Sequence, residues 1–180
     1  MAGWSKVIGI DISSNRIARA KMLYPHLIFY DQPLHRTSIA QGTFDLLIMD
    51  NVIEHLIEPD EALRQYRSYL KPDGHIVLIT PNMCSGHFRL LGRYWTPELA
   101  PQAHIFLFTS SSLRRLLEET GYKVENLGSF HLQIYSLREW GARIAKGDIK
   151  GAVWRAVQEM GGLYGRLLDK GPMLYAVSRI

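Results

Sequence analysis

Residues 44–57, FDLLIMDNVIEHLI, decide the fold. After Phe44-Asp45, the run Leu46, Leu47, Ile48, Met49 has no polar break. A strand covered by helices on both faces has that composition, and such strands belong to parallel sheets. The run therefore predicts a central strand over 44–50, buried on both sides. It stops at Asp50-Asn51, two polar residues at the strand's C-terminal end. In open α/β sheets, ligands sit at that end.

Working outward, KVIGIDI at 6–12 and HLIFY at 26–30 read as short strands, each running into an acid, Asp11 and Asp31. Ser13 and Ser14 can cap a helix that runs to about Tyr24, with Ile17 and Ala20 on one face and Pro25 as its stop. On the other side, Pro59-Asp60 opens a helix whose Leu63, Tyr66 and Leu70 form one stripe. Lys71-Pro72-Asp73-Gly74 reads as a turn, and HIVLIT at 75–80 as another buried strand. Residues 83–108 read as an irregular aromatic stretch with Trp95 and His104 in it. Thr109 and the following serines cap a helix carrying Leu113, Leu116 and Leu117, which Gly121 ends in the left-handed conformation. Residues 122–130 and 172–180 read as two further strands. Between them, 136–170 is helical in pieces and broken by glycines, a pattern that predicts a cap or lid. The alternation of strands and helices from Lys6 to Thr80 predicts an α/β fold.

Length and composition fit one ordinary globular domain: 180 residues, 47% hydrophobic, 21% charged. The single cysteine, Cys84, excludes an internal disulfide framework, and no apolar run is long enough to span a bilayer. A cytoplasmic location is the expectation. Residues 1–137 carry 13 basic and 13 acidic residues, so the net charge of +4 arises wholly in 138–180. No alternation of basic and aromatic residues points to nucleic acid. The histidines show no zinc-ligand spacing and Cys84 stands alone, so no metal site is expected.

Asp11, Asp31 and Asp50 at three strand ends would gather three acids along one sheet edge. An acid after the second strand of a nucleotide-binding sheet commonly accepts hydrogen bonds from two ribose hydroxyls. Ile12 beside Asp11 would offer an apolar face to an adenine ring. Each acid can equally serve as a helix cap or a solvated loop residue.

Four stretches, VIGIDIS, FDLLIMDNVIEHL, LKPDGHIVLITPN and HIFLFTSSSLRRLLEETGY, occur in an order and spacing that resembles class I S-adenosylmethionine-dependent methyltransferases. The resemblance covers about residues 3–130 and is greatest to the small-molecule branch that includes the ubiquinone-biosynthesis type. It implies a Rossmann-like, mostly parallel sheet with an antiparallel last strand, formed by 1–135 and 171–180, with 136–170 inserted as a helical lid. It implies S-adenosyl-L-methionine as cofactor, with Asp11 on the ribose, Ile12 flanking the adenine, Asp31 near its amine, and Asp50 and Asn51 along the methionine end. His55 and His104 become candidate catalytic residues, and Trp95 joins His104 on the substrate side. The family's first strand and glycine-rich loop have no counterpart before Gly3, so the resemblance implies an N-terminally truncated domain. Its second and fourth strands would then pair directly, or another chain would fill the gap, or the fold would be rearranged.

Two functions follow as expectations. One is methyl transfer to a small-molecule acceptor, at oxygen. The other is a catalytically incomplete methyltransferase fold acting as a binding or dimerisation module, with a homo-oligomer covering the exposed sheet edge. A nicotinamide-dependent enzyme lacks the required glycine fingerprint.

Overall fold

The computed structural model describes residues 6–92, 103–130 and 171–180. Trp95 and the lid expected over 136–170 lie outside the described residues. The elements run β1 (Ile8–Ile10), α1 (Ser14–Leu23), β2 (Ile28–Tyr30), β3 (Phe44–Asp50), α2 (Pro59–Arg67), β4 (Leu70–Pro81), α3 (Gly86–Leu91), α4 (Ser110–Glu119), β5 (Lys123–Phe130) and β6 (Met173–Arg179). Short 3-10 turns lie at Leu34–Arg36 and Ile53–His55.

The helix ends follow the residues that cap them. The Ser13 hydroxyl accepts from the Arg16 amide at 3.5 Å and starts α1. Pro59 opens α2, where its missing amide costs nothing, and Asp60 and Glu61 face the positive end of the helix. Thr109 and Ser112 exchange side-chain and backbone bonds in a capping box at the start of α4. At the other end of α4, Gly121 has φ +87°. There the Tyr122 amide bonds to the Leu117 carbonyl and the Gly121 amide to that of Glu118. This is the Schellman closure that the glycine predicted.

The described strands form two sheets, not one. β1 and β2 pair in parallel, and β3-β4-β6-β5 form the second sheet in that order. In the larger sheet β3 and β4 are parallel, while β6 runs antiparallel to both of its neighbours, β4 and β5. β1 and β3, the second and fourth strands of the resemblance, share no ladder. The three acids therefore do not line one sheet edge: Asp11 and Asp31 belong to the small sheet and Asp50 to the large one.

β3 also departs from the buried central strand. It lies at the edge of its sheet, and Ile48 is 62% exposed, while its neighbour Met49 is buried. Alternate side chains of a strand face opposite ways. The Met49 face meets the core, which joins Ile53, Leu63, Ile76, Leu78, Leu113, Leu117 and Leu174, and Phe44 at the start of the strand packs against it as well. In β4, Ile76, Leu78 and Thr80 are buried on that face, and the intervening residues are half-buried.

Three local readings also change. Residues 71–74 lie inside β4 as an irregularity: Leu70 pairs with Phe44, the next partners are His75 and Leu46, and Asp73 has φ +63°. The strand expected over 26–30 starts at Ile28, because the Leu27 amide closes a turn onto the Tyr24 carbonyl. Within 83–108, Ser85 accepts from the Phe88 amide and starts the one-and-a-half-turn helix α3.

Candidate functional site

The site grows from the exit of β3. The Asn51 amide bonds to the Ile79 carbonyl at 2.9 Å, which holds the end of β3 against β4. Asn51 itself turns into the left-handed region at φ 52°, and its side-chain amide donates to Asp50 Oδ1 at 2.7 Å. Asparagine tolerates that conformation better than most residues. The turn lets the chain enter the Ile53–His55 3-10 element with Ile53 and Glu54 fully buried and His55 outward.

Glu54 is the pivot. Its Oε2 accepts from the Thr80 hydroxyl at 3.0 Å, and both residues are fully buried. Its Oε1 is buried without a hydrogen-bond partner among the described residues. Its backbone carbonyl accepts from the amides of Ile105 and Phe106, at 2.8 and 3.1 Å. Those two bonds bring the 103–108 segment onto the turn. Phe108 continues the attachment through a bridge to Asn82, where the Met83 amide reaches the Phe108 carbonyl at 2.9 Å.

His104 thereby meets His55. Their ring centroids are 4.7 Å apart at 55°. His55 Nδ1 lies 2.8 Å from the Ala103 carbonyl. A carbonyl oxygen only accepts, so Nδ1 carries a proton, and in the neutral ring Nε2 presents its lone pair. That Nε2 lies 4.0 Å from Glu54 Oε1, too far for a hydrogen bond. His104 Nδ1 is buried and without a partner among the described residues. Sequence reading named both histidines but gave Glu54 and Thr80 no role. Thr80 was accessible to it, because a period of two from Ile76 and Leu78 places Thr80 on the buried face.

The acids take different positions. Asp11 and Asp31 follow adjacent strands, and the Asp11 amide bonds to the Tyr30 carbonyl at 3.2 Å. The Asp11 carboxyl group is already engaged: Oδ1 accepts from the Ser13 amide at 2.8 Å, and Oδ2 from Arg16 at 3.3 Å. It thus closes a tight turn onto Ser13, the residue that caps α1. Ile12 beside it is 77% exposed, and Asp31 is exposed. Asp50 and Asn51 are exposed at the mouth of β3 and bond to each other. Asn82, at the end of β4, is spent on structure: it donates to the Gly171 carbonyl at 2.7 Å and accepts from the Cys84 amide at 2.9 Å.

A family model described as a methyltransferase domain matches residues 2–127. A probable S-adenosylmethionine-dependent methyltransferase of Mycolicibacterium smegmatis is 28% identical over 158 residues, 86% of this chain and 57% of that protein. The chain thus spans about half the length of this relative, as it does of a second from Mycobacterium tuberculosis, at 53%. Among solved structures, an S-adenosylmethionine-dependent methyltransferase from Mesorhizobium loti aligns with a TM-score of 0.63 at 19% identity, over 99% of this chain and 82% of that one. The [4+2]-cyclase SpnF aligns at 0.61 and 17%, over 97% and 66%. At those identities the likeness shows the fold.

Proposed function

The chain belongs to the methyltransferase domain family, and on that premise we propose that it serves an S-adenosylmethionine-dependent methyltransferase acting on a small-molecule acceptor at oxygen. The observation that carries this reading is the meeting of His55 and His104 beside the exit of β3. An oxygen nucleophile must lose its proton, and a neutral imidazole near pH 7 suits that step. His55 Nε2 is the basic atom, since Nδ1 is held by the Ala103 carbonyl. His104 stands against it as the second candidate base.

The residues present fit the adenosine part of the cofactor. A carboxylate offers about four lone-pair positions, and Asp11 uses two of them. Arg16, which holds one, is 78% exposed, so a ribose diol displaces it at little cost. Ile12 would offer its exposed apolar face to the adenine, Asp31 would take its amine, and Asp50 with Asn51 would hold the methionine end. When bound, the cofactor supplies an activated methyl group on its sulfonium. The chain's own task is to orient the acceptor oxygen and take its proton.

A second reading, a binding or dimerisation module on the same fold, is favoured by the 62% exposed Ile48 on an edge strand. The likeness to a [4+2]-cyclase is a reminder that one fold hosts several chemistries. Calorimetric titration with S-adenosylhomocysteine separates the two readings. The first expects micromolar binding that weakens in both Asp11→Ala and Asp31→Ala, with far-UV circular dichroism unchanged. Absence of binding at millimolar ligand, with a dimeric mass on gel filtration, selects the second.

A further inference from the structure

We propose that Glu54, His55 and His104 form a binding site for one divalent first-row transition ion of the zinc class. The three side chains each offer one ligand atom, and these atoms all lie within 4.8 Å of one another. One carboxyl oxygen with two imidazole nitrogens is a donor set that zinc and its neighbours take readily. Ligands around a tetrahedral ion at about 2.0–2.2 Å stand roughly 3.3 Å apart. Closing the 4.0 Å between Glu54 Oε1 and His55 Nε2 to that separation needs only small torsional changes.

The surroundings are those of a prepared site. A ligating histidine typically donates its other ring N–H to a carbonyl or carboxylate, which fixes the tautomer and aims the lone pair. His55 does so through Nδ1 to Ala103. A ligating carboxylate is typically held by a further hydrogen bond, and Thr80 holds Glu54 Oε2. Glu54 Oε1 and His104 Nδ1 are both buried with no partner among the described residues. A buried polar atom left so is costly, and an ion bound between them removes that cost. Among the described residues, the ion-pair-range contact of the Glu54 carboxyl group is with His55. Spacing along the chain hid the set, because Glu54 and His55 are adjacent and His104 arrives through the bonds from the Ile105 and Phe106 amides to the Glu54 carbonyl.

Three protein ligands leave a fourth position open. This deepens the methyltransferase reading: an acceptor oxygen would fit there, the ion would favour its deprotonated form while His55 Nε2 is engaged as a ligand, and His55 would act as base only in the ion-free chain. Binding of the ion does not depend on that reading, since it is measured without cofactor or acceptor.

The test is calorimetric titration of the chelator-stripped, full chain with zinc chloride. The wild type should take up one ion per chain. Glu54→Gln and His104→Gln should each weaken it about tenfold or more, and His26→Gln, a change at an exposed histidine, should leave it unaltered. Zinc-edge X-ray absorption of the wild type should show two imidazoles and an oxygen shell, and it decides the matter where a variant fails to fold. No stoichiometric uptake overturns the proposal. So does equal affinity in the Glu54 and His104 variants, or a first shell containing sulfur or lacking imidazole.

Discussion

Thr80→Val tests whether Glu54 is held as the structure holds it. The substitution keeps the shape of the side chain and replaces the hydroxyl that donates to Glu54 Oε2 at 3.0 Å. Both residues are fully buried, so no solvent replaces the lost donor. The other oxygen of the same carboxyl group already lacks a partner. A buried acceptor stripped of its donor costs about 1–3 kcal/mol. For a chain of this length each kcal/mol moves the melting temperature by about 2–4 °C, so a fall of about 2–12 °C is expected. With a typical urea slope of about 2 kcal/mol/M, the midpoint falls by about 0.5–1.5 M.

The decisive form is a double-mutant cycle in urea with Glu54→Met, which removes the acid and leaves an apolar chain of similar length. In that background the Thr80 hydroxyl has lost its acceptor, and Thr80→Val should be neutral or stabilising. The coupling between the two positions should therefore be at least about 1 kcal/mol. If Thr80→Val costs the same in both backgrounds, within about 0.3 kcal/mol, the hydrogen bond does not hold the turn. The account of how Glu54 is oriented then fails.

Three further outcomes are expected. Burial pushes the Tyr122 hydroxyl well above the ordinary tyrosine range, against a smaller lowering by Arg67, and it donates to the Leu63 carbonyl at 3.0 Å. Its contribution to stability is present below about pH 10 and lost as pH rises through the higher folded value, so in the folded protein the absorbance step near pH 10 should be the same in wild type and Tyr122→Phe; a missing step in the variant would contradict this. The bond to Arg64 holds the Asp60 carboxyl below the usual aspartate value. Its contribution is present above the unfolded value and lost as pH falls through the folded one; carboxyl NMR titration should show the depressed value in the wild type and its return in Arg64→Gln. Ile48→Thr, on the open face of β3, should change stability by no more than about 0.5 kcal/mol, while Met49→Ala one residue on costs about 2–5 kcal/mol. An Ile48→Thr cost above about 1.5 kcal/mol would mean that another surface covers this edge in solution, and gel filtration would then show the larger mass.

What was legible in the sequence follows from what is local. Strand and helix positions came from runs and caps, and the structure keeps most of them: β3 over 44–50, the start of α2 at Pro59, the end of α4 at Gly121. The division into two sheets was not legible, because an apolar run reports that a strand wants burial and not which strand lies beside it. Ile48 shows the difference: its type matches Leu46 and Leu47, yet it faces outward from an edge. Of the arrangements open for the family's second and fourth strands, the described strands do not take direct pairing.

The strand ends that carry the acids were legible as positions in the chain, and the contact between the two histidines was not. His55 and His104 were named separately, but nothing in their spacing puts them in contact; the backbone carbonyl of Glu54 does that. Glu54 escaped because acids are mostly exposed, and only the fold shows one pulled fully inside beside Ile53. Asp11 gives the converse case. Helix capping and ribose binding were weighed as alternatives for it, yet a carboxylate has lone pairs enough for both. The Ser13 amide fixes the side chain from below, and the exposed Arg16 occupies the outer position that a ligand would take. A turn that orients a carboxylate is thus compatible with the ligand role and would lower the entropy lost when a diol binds. The same logic holds at Glu54, where Thr80 fixes one oxygen and leaves the other free to act.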